Sequence, residues 1–266
     1  MKQLRKNQNS RPKRQMIKAG LGVVGAWLLT GCDRMAQQAS FRKMLQSAEK
    51  LSHNVHTLIM PRKAMAQEFT EADLSPRFRG NGSTDPKDQQ YLDFVKTSFS
   101  SWALTIDGMV QAPTKFGLDQ LKAMPSRTQI TRHDCVEGWS AIGKWTGVPL
   151  SALLAIAKPT AQAKYVVFHC ADSYPGRGSA SRVPYYESID LDDAFHIQTI
   201  LAYALNGKTL PIANGAPLRL RVERQLGYKQ AKYITRIELV DSLEKIGSGG
   251  GGFWEDRAGY QWYAGI

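Results

Sequence analysis

Short strand-length runs, broken by turn residues and joined by few helical stretches, constrain the fold of this chain more than any other feature. "SWALTIDGMV" (residues 101–110), "RTQITRHDC" (127–135), "KYVVFHC" (164–170), "APLRLRVE" (216–223) and "KYITRIELV" (232–240) are rich in β-branched and aromatic residues. The first carries an Asp-Gly turn and "TILAYALNGKTL" an Asn-Gly turn, both hairpin signals. The helical stretches are short: "FGLDQLKAM" before Pro125, and "GVPLSALLAIA", opened by Pro149. Residues 61–98 read as mostly irregular, with "RFRGNGSTDPKDQQ" as a loop. There is no regular βα alternation and no internal repeat. The expected class is mixed α+β, strand-rich with short helices.

The first 32 residues are a different material. Seven Lys or Arg and no acid precede an apolar run of thirteen, "AGLGVVGAWLLTG". That run is shorter than the ~20 residues that span a bilayer, so it reads as an export signal. "LLTGC" matches a bacterial lipobox, which makes Cys32 the expected lipidated residue. "KRQMIK" resembles a twin-arginine export motif with Lys13 in the first arginine position. Residues 33–75 are expected as an N-terminal helix and linker, the helix over 41–59. A main domain over 76–246 and a Gly-rich linker with a C-terminal tail over 247–266 complete the layout. Without the leader, 28 basic residues face 23 acidic ones, a formal +5 instead of +12. That mild charge, with no basic cluster interleaved with aromatics, gives no nucleic-acid footprint. The hydrophobic share of 42% lets the body build a core without disulfide staples.

The chemistry concentrates in "TRHDCVEGWS". Cys135 sits among Arg132, His133, Asp134 and Glu137, whereas a structural cysteine packs among apolar neighbours. It is open to reading as a nucleophile, a metal ligand, a disulfide partner of Cys170 or a packed residue. Strand alternation allows His133 and Cys135 to share one face and Arg132 and Asp134 the other. No zinc pattern, phosphate-binding glycine loop or nucleophile elbow occurs, and "GSGGGG" reads as flexible linker.

"RHDCVEGWSAIGKWTGVPLSALL" and "HIQTILAYALNGKTLPIANGAPLRLRVERQLGYKQAKYI" resemble, in order and spacing, two long motifs of the sulfite oxidase superfamily. The likeness is to its bacterial periplasmic branch, which includes the catalytic subunit of protein-methionine-sulfoxide reductase. It covers roughly residues 76–266. The resemblance implies the sulfite oxidase fold and one molybdenum-molybdopterin per chain. It implies Cys135 as the protein's metal ligand, thiolate being a soft ligand. It also implies cofactor contacts from Asn81, Cys170, Asn214, Arg219, Gln230, Ala231 and Lys232, the lysine at the phosphate end. Glu137 and Tyr260 match groups close to the metal, where they would handle protons.

The departures bear on the substrate. Sulfite-oxidising relatives have "FxRNH" where this chain has "FRGNG", and "AGNRR" where it has "VEGWS". Two anion-binding arginines are therefore absent from the expected places. The implied reaction is two-electron oxygen-atom transfer, with reduction of a small-molecule or protein S-oxide or N-oxide expected. No CxxCH haem site is present, so electrons are expected from a membrane haem protein or another redox partner. A monomeric catalytic subunit on the periplasmic face is expected. The alternatives are a sulfite-type oxidase, a metal-free thiol oxidoreductase using Cys135, and a non-catalytic binding lipoprotein.

Overall fold

The computed structural model describes residues 64–176 and 181–266, with Ser47, Leu51 and Val55. The expected signal, Cys32 and most of the expected helix over 41–59 lie outside the described residues; Ser47, Leu51 and Val55 are helical. The chain divides into Met1–Ile59 and Met60–Ile266, and the second unit carries the features that follow. Among the described residues no helix is long and apolar enough to cross a membrane.

Ten strands are described: β1 (Ala103–Gly108), β2 (Thr114–Gly117), β3 (Arg127–Cys135), β4 (Trp139–Pro149), β5 (Tyr165–Pro175), β6 (Arg182–Asp190), β7 (Ile200–Leu205), β8 (Lys208–Thr209), β9 (Arg219–Arg221) and β10 (Ile234–Val240). They form two sheets. One runs β2-β1-β10-β5-β6; the other runs β3-β4-β7-β8, with β9 also on β7. β1 and β10 are parallel and every other pairing is antiparallel. The helices are short: α1 (Gln89–Lys96), α2 (Leu118–Ala123), α3 (Leu150–Ala157), α4 (Leu191–Ala194) and α5 (Phe253–Ala258). The class is mixed α+β, as the strand-length runs predict.

Alternation sorts the strand faces. β1 buries Leu104 and Ile106 against Val166, Phe168, Ile237 and Leu239 of its sheet, and α3 adds Leu150, Leu153 and Leu154 to the same core. Trp102 donates its indole N–H to the Ile234 carbonyl at 3.1 Å. The Asn206-Gly207 pair has φ of 51° and 73°, the left-handed pair that joins β7 to β8 tightly.

β3 differs. Its buried face is Gln129, Thr131, His133 and Cys135, a polar stripe where an ordinary core strand would bury aliphatics. The structure also departs from expectation elsewhere. α1 occupies part of the stretch expected to be irregular, and β4 and β6 are strands that the runs did not announce. Residues 68–75, expected as linker, lie along the second sheet: Phe69 N–H donates to Ile130 O at 2.8 Å and Ser75 N–H to Ile142 O at 3.1 Å. "GSGGGG" is not an open linker. A Cβ on Gly247 would collide with Tyr186 and Asp256, one on Gly251 with Trp262 and Leu243, and one on Gly252 with Glu255 and Glu187. Glycine is needed there for close packing.

Candidate active site

Cys135 is the last residue of β3. Gly138, at φ +85°, closes the turn into β4 by donating its N–H to the Cys135 carbonyl at 3.0 Å. This turn places the thiol in a cleft walled by both sheets. Asp172 and Tyr174 of β5 and Tyr185 of β6 line it, with Asn81, Gly82 and the segment Gly227, Tyr228, Gln230 and Lys232. Trp254 of α5 and Tyr260 complete the wall, their rings stacked with centroids 6.0 Å apart. Val136 and Glu137 stand exposed at the mouth, where Glu137 accepts the Trp139 indole N–H at 2.8 Å.

Of the residues singled out in the sequence, Asn81, Cys135, Glu137, Gln230, Lys232 and Tyr260 share this cleft. Asn214 and Arg219 are buried beside it. Arg219 donates Nη1–H to the Asn214 carbonyl at 2.9 Å. Gly215, at φ +111°, lets Lys232 and Arg219 pack within reach of each other. Lys232 donates from Nζ to the carbonyls of Asn81, at 2.6 Å, and Ser83. Ala231 is buried, with its N–H directed to the Lys229 carbonyl at 3.2 Å. Cys170 belongs to the apolar core rather than to the cleft wall, and its sulfur takes a backbone N–H from Lys232. Both cysteines are free thiols, which corrects the disulfide alternative.

Electrostatics single out the same groups. Burial pushes the Cys135 thiol up, and Glu137 adds to this against a backbone hydrogen bond and Arg79. A reactive thiol needs the opposite, a depressed value, so the environment counts against a metal-free nucleophile. Coordination to a metal deprotonates a thiol outright. Burial draws Lys232 down, Arg219 lowers it further, and Asp172 opposes both. Burial drives Asp172 up, with Lys232 opposing. Arg219 is fully buried and pulled down to about 9 by burial and by Arg221. The two guanidiniums lie over the Trp145 ring, 4.9 and 4.4 Å from its centroid.

Several buried polar atoms here have no hydrogen-bond partner: Arg219 Nε and Nη2, Asn214 Nδ2, Asn81 Oδ1, His133 Nε2 and Asp172 Oδ1. Native interiors rarely leave such groups unpaired, so their gathering around one cleft marks a ligand site. Unused arginine and amide donors beside a buried lysine suit a polyfunctional, anionic ligand that also carries polar ring edges.

The family described as the oxidoreductase molybdopterin binding domain matches residues 91–245, the span that holds Cys135, Arg219 and Lys232. The chain belongs to this family. It is an oxidoreductase, and its cofactor is molybdenum-molybdopterin, whose mixed anionic and ring-edge chemistry fits the unpaired donors. Among curated relatives, the protein-methionine-sulfoxide reductase subunit YedZ1 of Azospira oryzae is 34% identical over 95% of this chain and 87% of its own length. The protein-methionine-sulfoxide reductase catalytic subunit MsrP of Ralstonia nicotianae is 40% identical over 86% of this chain and 68% of its own. Among solved structures, the sulfane dehydrogenase SoxCD of Paracoccus pantotrophus aligns with a TM-score of 0.47 and 25% identity, covering 54% of this chain and 39% of that one.

Sequence reasoning missed Asp172, Tyr174, Tyr228 and Trp254 in the cleft, and the buried row behind Cys135. In that row Arg221 pairs with both oxygens of Glu223, at 3.0 and 2.5 Å, and reaches His133 Nδ1 at 3.0 Å. Burial and the surrounding cations keep the His133 imidazole far below its ordinary value. The alternating polar residues of "RTQITRHDC" were the available signal, since a strand that buries its polar face has something to bind.

Proposed function

We propose that this protein is an exported reductase of S-oxides, with a methionine sulfoxide side chain in a protein as the preferred substrate and an N-oxide as a lesser one. The observation that carries the reading is the set of unpaired buried donors around the cleft that holds Cys135, in a chain whose relatives bear the name methionine-sulfoxide reductase. Cys135 provides the thiolate for molybdenum. Arg219, Asn214, Asn81 and Gln230 hold the pterin, and Lys232, with the Ala231 backbone beside it, holds the phosphate. Cys170 supports Lys232 from behind. When bound, the cofactor supplies two-electron oxygen-atom transfer.

The chain's own residues do the remainder. Reducing an S-oxide to a thioether and water takes up two electrons and two protons. Glu137 at the mouth and Tyr260 in the wall are placed to pass those protons inward. Tyr174, Tyr228, Trp254 and Tyr260 offer aromatic faces to the substrate's sulfur and methyl group. Against a sulfite-type reaction, Gly82 stands in the cleft at φ +57° with the Tyr174 hydroxyl 2.7 Å from where a Cβ would lie. A side chain there, as sulfite-oxidising relatives carry, would have to displace that hydroxyl and hold a strained backbone.

The leader supports export, by the twin-arginine route after the cofactor is loaded, and lipid attachment at Cys32 on the periplasmic face. A monomeric subunit tethered in that plane meets a membrane haem partner at raised effective concentration. Residues 76–246 form the catalytic domain of this layout, and 247–266 cap its site. The test is molybdenum per chain by elemental analysis, with dye-coupled reduction of methionine sulfoxide. About one molybdenum per chain, lost or spectroscopically altered in Cys135→Ala, and turnover of the sulfoxide support the reading. Folded, exported protein without molybdenum, or loaded protein inert towards S-oxides and active on sulfite, overturns it.

A further inference from the structure

We propose that the face carrying Met65, Phe195 and Ile197 docks on a phospholipid bilayer with anionic headgroups. This rests on the reading that the chain is exported and tethered at Cys32. The three apolar side chains are 49%, 46% and 59% exposed. They emerge from adjoining backbone. His196 Nε2 donates to the Ala64 carbonyl at 3.0 Å and Gln198 Nε2 to the Ala66 carbonyl at 3.0 Å, while Ala66 N–H donates to Gln198 Oε1 at 2.8 Å. His196 and Gln198 are buried in making these bonds, which leaves Phe195 and Ile197 beside them facing out. The other large apolar side chains exposed in this unit, Val136, Ile156, Val183, Ile212 and Ile266, are spread over separate segments. Single exposed aliphatics are ordinary; a group of three with an aromatic among them marks a surface that meets something.

Attachment and charge name the occupant. Residues 64–66 are where this unit receives the chain from Cys32, across the thirty-one residues 33–63. A lipid on Cys32 therefore raises the effective concentration of bilayer beside this face. Those thirty-one residues hold six Lys or Arg and two acids, a net +4. That is nearly all of the +5 carried by residues 33–266, and it leaves +1 for 64–266. Arg62 and Lys63 directly precede the patch in the chain. Basic residues joined to exposed aromatic and aliphatic side chains suit an anionic lipid surface, which attracts the first and buries the second. The patch also lies away from the cleft. Gln129 of β3 donates to the Gln198 carbonyl at 2.9 Å, and Cys135 is six residues further along that strand, about 20 Å away. The mouth at Val136 and Glu137 thus stays clear of lipid and open to a protein substrate.

The test is hydrogen exchange, read by mass spectrometry, on holoenzyme in nanodiscs of phosphatidylethanolamine with phosphatidylglycerol. Nanodiscs of phosphatidylcholine and detergent-solubilised protein are the references. Exchange across residues 64–66 and 195–198 should slow severalfold on the anionic discs and much less on phosphatidylcholine, with residues 136–139 unchanged. Phe195→Ser with Ile197→Ser should abolish the slowing and keep molybdenum content and dye-coupled turnover, since both side chains lie outside the cleft. If that pair does not fold, Ile197→Ser alone, at the more exposed position, takes its place. Unchanged exchange at the patch on anionic discs overturns the proposal, as does equal slowing on phosphatidylcholine or slowing that survives the substitutions. Slowing that needs no lipid and grows with protein concentration assigns the face to a second copy of the chain and overturns it equally. Intact mass judges the tether separately. Protein without lipid at Cys32 sinks that reading, and its co-sedimentation with phosphatidylglycerol vesicles, lost in the double variant, would still uphold the docking face.

Discussion

At the scale of single residues, the site is a set of charges held away from water until a ligand meets them. Lys232 and Asp172 carry the clearest consequence. Burial lowers the lysine and raises the acid, bringing both towards neutrality. An arriving phosphate favours the charged lysine and the neutral acid, so binding takes up protons at both. Below neutrality both are already protonated and binding does not depend on pH through them. As pH rises past neutrality, affinity should fall by up to about tenfold per unit for each group. The rate of cofactor release from holoenzyme at pH 6 and pH 9, followed by pterin fluorescence, checks this. A flat profile, or tighter retention at pH 9, would contradict the pairing. Four ionisable neighbours drew attention to Cys135 in the sequence, but they left its role open, and the resemblance to a known family is what pointed to a metal ligand. His133, Arg221 and Glu223 were not legible, because their contacts join β3 to residues about ninety positions later.

At the scale of elements, one ammonium ties three segments. Lys229, in the 3-10 turn Gly227–Lys229, is fully buried and bonds Glu187 of β6 at 2.5 Å and Glu255 of α5 at 2.7 Å. Burial, then the Glu255 charge, raise Glu187, while Lys229 pulls it back. Removing the cation strands two carboxylates. Lys229→Met should cost about 3–5 kcal/mol in urea unfolding, the usual penalty for breaking a buried pair from one side. A cost under ~1 kcal/mol would mean that the acids already share their charge with something else. The tail holds to the same segment by backbone: Leu226 N–H donates to Ala264 O at 2.9 Å, and Gln225 bridges Gly265. Its glycines read as a hinge because composition records freedom and says nothing of what crowds in from β6. The strand runs of β1, β3, β5 and β10 were readable from alternation and β-branching. β4 was not, since Gly143 and Gly147 interrupt it. Those glycines let Phe78 pack against one and β7 backbone approach the other.

At the scale of the molecule, the cleft lies where the two sheets, the 227–232 segment and the tail converge. A ligand there braces all four. Holoenzyme should therefore unfold at a higher temperature than the same chain made without molybdenum, by an amount that grows with cofactor affinity, about 2.7 kcal/mol per hundredfold excess over Kd. Cys135→Ala should melt like the metal-free chain. Equal midpoints in calorimetry for loaded and unloaded protein would mean that the cofactor does not bind the folded chain in preference to the unfolded one, and would contradict the cleft as its site. The overall class was visible from element lengths, but the convergence was not, because it depends on pairings such as β1 with β10 that leave no local trace.

The wall that Trp254 and Tyr260 lend to the cleft also imposes an order in time. More than a hundred residues separate them from Cys135, and a ribosome makes them long after the cysteine strand. While the chain is still growing, the pocket lacks one side and the buried ammonium lacks one of its two acids. The finished receptacle therefore exists only on chains whose synthesis has passed residue 260.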